Sequence, residues 1–335
     1  MEPTEAMELA IAASETVRGA TSPNPPVGAV VLDADGDLAG TGATSPPGGP
    51  HAEINALADA GDRARGGTAI VTLEPCAHHG RTPPCVDALL AAGITRVYFA
   101  VADPNPKAAG GATRLADSGV TVHPGLLADA VATGPLRAWL HYARTGRPHI
   151  TWKYAMSMDG RVAAADGTSR WISGAASRAD VHELRRGIDA IMVGRGTVLA
   201  DDPRLTARGA GVERQPLRVV VGTGDLPPGA RVTDDSAPTL HLRTRDVASV
   251  VRELAERDVV DVMLEGGPTL AGAFLAAGLV DRVLAYVAPI FLGAGPVALG
   301  DAGVPTLTDA HHFAVEQVTM CGSDVRVSAV RKRQR

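Results

Sequence analysis

Cysteine and aromatic residues are scarce in this sequence, and long apolar runs are absent. Only three of its 335 residues are cysteine, and two of them, Cys76 and Cys85, lie nine positions apart. In an intracellular chain such a pair favours metal binding over a disulfide. Aromatic residues make up 3% of the chain, which argues against a base-stacking platform for single-stranded nucleic acid. No segment approaches the roughly 18 uninterrupted apolar residues of a membrane span, so no membrane association is expected.

A broad basic surface is also missing. The net charge is −5 at pH 7, which argues against a duplex nucleic-acid partner. The one basic cluster, residues 331–335, is interpreted as a solvated terminus. The acidic N-terminus lacks the basic region and apolar core of a secretory signal, so we expect a cytoplasmic location. With 45% apolar and 21% charged residues, the chain has the profile of a globular protein long enough for two domains.

Both halves of the sequence alternate strand-like and helix-like segments, which predicts an α/β fold in each. A polar linker over residues 144–148 contains both glycine and proline and predicts two domains, 1–146 and 147–335. In the first half the pattern predicts strands over 27–32, 68–73 and 96–102, and helices over 5–17, 51–60 and 86–92. In the second half it predicts strands over 149–155, 190–194, 217–221 and 259–264, a last strand pair over 282–289 and 314–330, and helices over 177–186, 247–256 and 270–277.

Three separated fragments of the first half predict one zinc site. One imidazole, from His51, and two thiols, from Cys76 and Cys85, form a ligand triad that leaves the fourth position of a zinc ion for water. We expect His51 in the first turn of its helix and Cys85 at a helix start, where a thiolate is favoured. Glu53 lies two residues from His51, off that face of the helix, and is the candidate proton carrier. The set predicts hydrolytic removal of an amine from a nucleobase-like ring.

A structural zinc site is the main alternative, because His78 or His79 offers a fourth protein ligand. The order of the fragments favours the deaminase instead. Many zinc deaminases carry Pro-Cys-x-x-Cys, whereas here eight residues separate Cys76 from Cys85.

Residues 74–85, with that long spacing, closely resemble the deaminase domain of the bifunctional riboflavin-biosynthesis deaminase/reductase family, and residues 23–28 and 103–106 resemble it too. The resemblance implies a cytidine-deaminase-like three-layer α/β/α domain that removes the 2-amino group of 2,5-diamino-6-(5-phosphoribosylamino)pyrimidin-4-one. It also implies that Asn24 contacts the ring and that residues 78–82 form a wall of the pocket. One departure is Thr44, where the family usually has a histidine.

Two glycine loops follow predicted strands in the second half. Gly194-Arg195-Gly196-Thr197 and Glu265-Gly266-Gly267-Pro268-Thr269 are each ambiguous alone, since ordinary tight turns look the same. Together they favour a dinucleotide site at the C-terminal edge of a sheet, where helix N-termini bind phosphate.

Four segments of the second half, 153–161, 170–173, 198–203 and 265–272, resemble the reductase half of the same family, so the likeness runs from about residue 5 to residue 330. It implies a dihydrofolate-reductase-like α/β domain that uses NADPH to reduce the ribosylamino group to a ribitylamino chain. The implied cofactor contacts are Ala155, Trp171, Thr197, Asp201, Thr223, Gly267, Pro268, Thr269, Leu270, Ala271, Gly272 and Ala273. The implied substrate contacts are Lys153, Ser169, Arg185, Leu205, Arg208 and Glu265.

The residue types alone allow more than one interpretation at three of these positions. Arg185 suits a phosphate clamp or a solvated helix face, and Trp171 suits a cofactor contact or core packing. Lys153 suits the open-chain sugar imine or a pair with Asp159 or Glu265.

A second departure follows the strand over 217–221, where the family commonly has Asp-Ser and a nearby arginine. This chain reads Gly222-Thr223-Gly224-Asp225 there, so Arg195, Arg243 and Arg245 are the candidates for the NADPH 2′-phosphate.

The favoured interpretation is a bifunctional enzyme with Zn²⁺ and NADPH that acts on a small phosphoribosylaminopyrimidine, as a homo-oligomer (dimer or tetramer). The alternative is a deaminase of another nucleobase whose second domain only binds a ligand or builds the oligomer. Loss of nicotinamide absorbance separates the two.

Overall fold

A computed structural model of the chain describes residues 1–77, 84–105, 109–209, 212 and 214–332. These residues form two compact units, Met1–Arg147 and Pro148–Arg335. The expected boundary between residues 146 and 147 differs from this division by one residue. None of the helices in the described ranges combines the length and apolar character needed to cross a bilayer.

The first unit is a mixed sheet covered by helices. In its described residues the strand order is β2-β1-β3-β4-β5, with β1 antiparallel to β2 and β3, and with β3, β4 and β5 parallel. The strands are β1 (Gly28–Leu32), β2 (Leu38–Ala43), β3 (Thr68–Leu73), β4 (Arg96–Val101) and β5 (Thr121–Pro124). The helices are α1 (Pro3–Thr16), α2 (Ala52–Ala60), α3 (Cys85–Ala91), α4 (Gly111–Asp117), α5 (Ala128–Thr133) and α6 (Arg137–Thr145).

Small residues bring α2 unusually close to β2. A side-chain carbon at Gly42 would lie 2.4 Å from the Ala52 carbonyl oxygen, so only glycine allows this approach. Ala52 and Ala56 are fully buried against the sheet. The close packing fixes the start of α2, and with it His51 and Glu53, beside the ends of the strands.

The second unit contains a larger sheet. Its order in the described part of the chain is β12-β13-β11-β6-β10-β7-β8-β9, with a parallel block from β11 to β9 and an antiparallel hairpin at the other edge. The strands are β6 (His149–Ser157), β7 (Ala190–Gly194), β8 (Leu217–Val221), β9 (Thr239–Leu242), β10 (Asp261–Leu264), β11 (Arg282–Ala288), β12 (Phe313–Cys321) and β13 (Asp324–Arg331). The helices are α7 (Ala175–Arg186), α8 (Arg195–Asp201), α9 (Val247–Ala255) and α10 (Pro268–Ala276).

Alternate side chains along β6 face the apolar core and a cleft. Trp152 packs into the apolar core with Ile150, Val262 and Leu264. Lys153 and Ala155 project to the opposite face, because successive strand residues alternate sides, and both line a cleft. The strand that forms the centre of the core therefore also supplies the site.

The predicted α/β class is confirmed in both units, and two local expectations are corrected. The strand expected over 314–330 is a hairpin of β12 and β13, whose turn at Gly322 has a positive φ of 65°. His51 is not in the first helical turn but is the extended residue that precedes α2 (φ −74°, ψ 164°).

Candidate functional site

His51, Cys76 and Cys85 converge as the sequence predicts. The Nδ1 atom of His51 lies 3.2 Å from Sγ of Cys85 and 3.7 Å from Sγ of Cys76. All three candidate ligand atoms lie within 4.8 Å of one another. Tetrahedral zinc bonds of about 2.0 Å to nitrogen and about 2.3 Å to sulfur imply N···S separations of about 3.5 Å. The donor set and its spacing therefore fit a zinc ion.

Each ligand comes from the end of a regular element. His51 precedes α2, Cys76 follows β3 by three residues, and Cys85 is the first residue of α3. The backbone N–H of Cys85 donates to Sγ of Cys76 across 3.4 Å. Because that N–H belongs to a helix start, it stabilises a thiolate, as expected for a metal ligand. The helix start therefore acts on Cys76, whereas the hydrogen bond with Cys76 and burial raise the pKa of Cys85.

The electrostatics of the pocket suit a metal ligand beside a proton carrier. The hydrogen bond with the Cys85 thiol, against the effect of burial, lowers the pKa of Cys76. Burial raises the pKa of Glu53 to about 7. Glu53 is 5% exposed, so its carboxyl group can hold or release a proton near neutral pH.

A cavity of about 270 Å³ opens onto these residues. Asn24, predicted to contact the ring, lines it together with His51, Glu53 and Cys76. Thr44, which stands where the family usually has histidine, also lines the cavity and is buried. The Val27 N–H donates to Oγ1 of Thr44 across 3.1 Å, so the threonine fastens the cavity wall to the backbone. The expected wall at 78–82 and the alternative ligands His78 and His79 lie outside the described residues.

Glu74 is a positioning residue that the sequence reasoning did not single out. Its carboxylate accepts the N–H groups of Asp103, Gly110 and Ala112, at 3.2, 3.2 and 3.0 Å. These bonds tie the Cys76 loop to the loop after β4 and to the start of α4. The available signal was an acidic residue directly after a fully buried strand, where an unpaired carboxylate is costly.

The second unit contains a cleft of about 500 Å³ at the C-terminal ends of its parallel strands. Parallel pairing sets Leu264 of β10 opposite Trp152 of β6, so the next residues along, Glu265 and Lys153, become neighbours. Lys153 Nζ lies 3.8 Å from the Glu265 carboxylate and 5.8 Å from the ring centre of Tyr286. Burial lowers the pKa of Lys153, while Glu265 opposes that shift. The alternative pairing of Lys153 with Glu265 is therefore confirmed.

The guanidinium group of Arg185 faces the carboxylate of Glu265. Its Nε and Nη2 atoms each donate to one carboxylate oxygen at 2.8 Å, and Nη1 donates to the Thr206 carbonyl at 3.0 Å. The side chain is 10% exposed, so the solvated helix-face interpretation is wrong. Arg185 therefore uses its bidentate hydrogen bonds on Glu265 and not on a phosphate group. Arg208 is the more available of the two cations for binding phosphate.

Ten predicted contact residues line this cleft. They are Lys153, Ala155, Ser169, Trp171, Arg185, Thr197, Asp201, Leu205, Arg208 and Glu265. Trp171 is 68% exposed, so the interpretation as core packing is wrong. The Arg178 guanidinium lies 4.7 Å from its ring centre, in a cation–π contact.

The two glycine loops meet beside the cleft, because β7 and β10 are adjacent. The N–H of Gly267 donates to Oγ1 of Thr197 across 3.1 Å. Gly267 precedes α10, and Pro268 begins it. Further along, Ala271 and Gly272 are buried, and a side-chain carbon at Gly272 would lie 2.1 Å from the Asp301 carbonyl oxygen. Gly272 therefore has a packing role, whatever contact the start of α10 makes with a cofactor.

The loop after β8 carries Thr223, which is exposed. Arg195 lies against this loop: its Nε donates to the Asp225 carbonyl at 2.8 Å, and its guanidinium carbon lies 2.8 Å from where a side-chain carbon of Gly224 would be. Arg243 reaches the same loop through its exposed pair with the Asp225 carboxylate, at 2.5 Å. Cations missing from the loop sequence are thus supplied from neighbouring strand ends, and the donor set fits a phosphorylated cofactor.

His182 and Tyr286 line the cleft but were not predicted from the sequence. His182 lies three residues before Arg185 on α7, and residues at that spacing share a helix face. That spacing was the available signal. Tyr286 comes from β11, and nothing in its local sequence indicated the cleft.

Two family models match the chain. The cytidine and deoxycytidylate deaminase zinc-binding region matches residues 1–101, and the RibD C-terminal domain matches residues 148–325. The first match contains the zinc-ligand triad, and the second begins at residue 148, where the second unit begins, and contains the cleft.

Whole-length relatives carry both parts. The riboflavin biosynthesis protein RibD of Mycobacterium tuberculosis is 55% identical over 97% of this chain and 96% of its own length. RibD of Escherichia coli is 38% identical over 95% of this chain and 96% of its own length. The structure of the Thermotoga maritima diaminohydroxyphosphoribosylaminopyrimidine deaminase/5-amino-6-(5-phosphoribosylamino)uracil reductase is 33% identical, covers 98% of this chain and 99% of its own, and superposes with a TM-score of 0.90. Acinetobacter baumannii RibD is 35% identical, with a TM-score of 0.88 over 99% of each chain.

The chain therefore belongs to the RibD family, the bifunctional deaminase/reductases of riboflavin biosynthesis, with a cytidine-deaminase-like zinc-binding domain and a RibD C-terminal reductase domain.

Proposed function

We propose that the domain of residues 1–146 deaminates diaminohydroxyphosphoribosylaminopyrimidine and that the domain of residues 147–335 reduces the resulting 5-amino-6-(5-phosphoribosylamino)uracil. The ligand triad beside buried Glu53 carries the first step of this proposal, since its donor set and proton carrier suit hydrolytic removal of an amine. The polar, cation-lined cleft of the second unit supports the second step.

In the deaminase site, three residues would bind the zinc ion and a fourth moves a proton. His51, Cys76 and Cys85 would hold zinc, which supplies a water activated for attack at neutral pH. The Glu53 carboxylate would take a proton from the attacking water and deliver one to the departing amine, so that ammonia leaves. Asn24 and Thr44 line the same cavity, where Asn24 is proposed to orient the ring.

In the reductase site, charge separates the two ends of the substrate. Arg208 is exposed in the cleft, and its position suits the phosphate group. Lys153 is nearly buried against Glu265 and is proposed to orient the open-chain sugar imine that receives the hydride of NADPH. Arg185 keeps Glu265 ionised and fixed beside Lys153. Ser169 and Leu205 complete the substrate wall.

NADPH is proposed to extend from this cleft across the two glycine loops. Its contacts are proposed at Ala155, Trp171, Thr197, Asp201, Thr223 and the residues Gly267 to Ala273. Arg195 supplies the cation for the 2′-phosphate, because its guanidinium lies on the loop that carries Thr223. Arg243 is a weaker candidate, because its exposed guanidinium is paired with Asp225.

A cytoplasmic location and a homo-oligomer, a dimer or a tetramer, are also proposed. Two free thiols in a metal site favour a reducing compartment. The edge strand β12 exposes Val315, Val318 and Met320 at 63%, 61% and 67% of their surfaces. An exposed apolar edge strand favours pairing with another chain.

The Glu53→Gln variant tests the assignment of the two steps. It keeps the shape of the side chain and removes the proton carrier, so ammonia release should fall about 10²–10⁴-fold while zinc content stays at the wild-type level. NADPH oxidation with the deaminated substrate should continue, because the cleft lies in the other unit. Glu15→Gln, an exposed change on α1, is the control. Ammonia release near the wild-type rate would remove Glu53 from the mechanism, and loss of both activities would contradict separate sites.

A further inference from the structure

His182 presents an unused polar atom in the reductase cleft. It lies on α7 and lines the cleft together with Arg185 and Arg208. Its Nδ1 atom is buried and has no hydrogen-bond partner among the residues that the structure describes. A buried polar atom without a partner costs free energy, on the order of 1–3 kcal/mol. A ligand in the cleft would supply the missing partner.

The surroundings keep this imidazole neutral. Burial, followed by the charges of Arg185 on α7 and Arg208 after α8, lowers the pKa of His182 to about 4. The charge of Glu265, after β10, and a hydrogen bond to backbone Thr206 act in the opposite direction and are outweighed. At neutral pH the ring therefore carries one N–H and one bare nitrogen.

A neutral ring among cations selects the chemistry of its partner. A hydroxyl group satisfies Nδ1 in either tautomer, because it both donates and accepts a hydrogen bond. The dianionic phosphate only accepts, and Arg208 suits it better because its charge is permanent. A phosphorylated pentose chain offers both kinds of group on one molecule.

We propose that His182 is a specificity-determining residue of the reductase site, whose Nδ1 binds a hydroxyl group of the pentose chain while Arg208 holds the phosphate of the same molecule. This inference rests on the proposed function, since it assigns a contact to the substrate named there. The inference adds a residue that recognises the hydroxyl groups of the sugar and is distinct from the residues that bind the phosphate and the ring.

Calorimetry with substrate fragments tests the contact without relying on turnover. Ribose 5-phosphate and its deoxy analogues, each lacking one hydroxyl, are titrated into the full chain in its wild-type, His182→Phe and His182→Asn forms. Wild type should bind ribose 5-phosphate about 2- to 10-fold more tightly than one of the analogues. His182→Phe should lose that preference, and His182→Asn should retain part of it because the amide still offers a hydrogen-bonding atom. Binding of inorganic phosphate should be the same in all three forms.

The controls separate this inference from folding and from the proposed function. Thermal unfolding and NADP⁺ binding show whether each variant is folded. A preference that persists in folded His182→Phe, or a loss of inorganic phosphate binding there, would overturn the hydroxyl contact. If wild type reduces the aminouracil substrate while the preference persists in the variant, only the role of His182 falls. If wild type neither binds ribose 5-phosphate nor reduces that substrate, the proposed function falls with it.

Discussion

Arg185 and Glu265 form a buried, bidentate ion pair, in which Nε and Nη2 of the arginine each lie 2.8 Å from a carboxylate oxygen. The pair joins α7 to the residue that follows β10. Both side chains are 10% exposed, so each ion depends on the other for compensation. The pair therefore sets the shape of the reductase cleft from within.

Replacement of Arg185 by leucine is expected to destabilise the second unit. Removal of one ion leaves Glu265 buried without its main partner, which costs about 3–5 kcal/mol. Denaturant unfolding of the full chain should show the loss in the transition of the second unit. Arg257→Leu, which breaks an exposed pair with Glu253, should change stability by at most about 1 kcal/mol. Equal effects of the two changes would contradict the importance of burial.

The same pair predicts a pH dependence of stability. Burial alone would raise the pKa of Glu265, but the charges of Arg185 and Lys153 outweigh it and lower the pKa to about 2, from a reference value of 4.5. A carboxyl group whose pKa is lowered by folding stabilises the protein at pH values above its pKa in the unfolded state. This contribution is lost as the pH falls from about 4.5 towards 2. The amount is on the order of 3 kcal/mol. In Glu265→Gln the free energy of unfolding should depend less on pH over that interval, and an unchanged slope would contradict the shift.

Arg208→Ala is expected to weaken substrate binding at the reductase site. A charge-assisted hydrogen bond contributes about 1.5–3 kcal/mol, so the KM should rise roughly 10–100-fold. Cofactor affinity should barely change. Lysine at this position should rescue only part of the loss, because it lacks the planar fork. Arg186→Ala, on the same unit but paired with Glu183 at the surface, is the control. Loss of NADPH binding with an unchanged substrate KM would assign Arg208 to the cofactor.

Cys85→Ser is expected to remove zinc together with deaminase activity. Serine is a poor ligand for zinc, and the remaining pair, His51 and Cys76, cannot complete the triad. Metal analysis of the purified protein should show about one zinc per chain for wild type and well below that for the variant. Cys321→Ser, the third cysteine and distant in sequence from the triad, should keep its zinc. Full zinc content in Cys85→Ser would count against the ligand assignment.

Arg195→Ala is expected to reduce discrimination between NADPH and NADH. Fluorescence titration should show weaker NADPH binding by about 10-fold or more, with little change for NADH, since only NADPH carries the 2′-phosphate. The loss should also make NADPH affinity less sensitive to salt. Arg243→Ala should have a smaller effect, because that side chain is exposed and paired with Asp225. Equal losses for both cofactors would mean that Arg195 only supports the loop.

Site residues could be predicted from the sequence where they adjoin a recognisable helix start, strand end or glycine loop. His51, Cys76 and Cys85 could be found because each adjoins a helix start or a strand end, and zinc chemistry restricts the residue types. Two glycine loops after two predicted strands indicated a dinucleotide site at the C-terminal edge of the sheet, but the contact between Thr197 and Gly267 depends on the adjacency of β7 and β10, which was not predicted. The strand over 314–330 was wrong because valines favourable to strands occur in both arms of the hairpin, and its turn depends on Gly322 and its neighbours.

The partners of Glu74 and of Arg185 were not predicted from the sequence. Nothing local shows that Glu74 binds three backbone N–H groups from other elements, or that Glu265 occupies the fork of Arg185. Those pairings depend on strand order, which brings β6, β7 and β10 side by side although they are far apart in the chain. His182 became informative only once its Nδ1 atom was seen to be buried without a partner in the described residues.

Simultaneous measurement of ammonia and NADPH in one reaction tests the central claim most directly. Zinc-loaded protein receives diaminohydroxyphosphoribosylaminopyrimidine and NADPH, and the release of ammonia and the oxidation of NADPH are followed over time. The account predicts ammonia first, NADPH oxidation after a lag, and equal final amounts of the two. Removal of zinc should abolish both signals, while NADPH oxidation should persist when the deaminated substrate is supplied instead. NADPH oxidation without ammonia release, or ammonia release that is never followed by oxidation, would contradict two sequential activities in one chain.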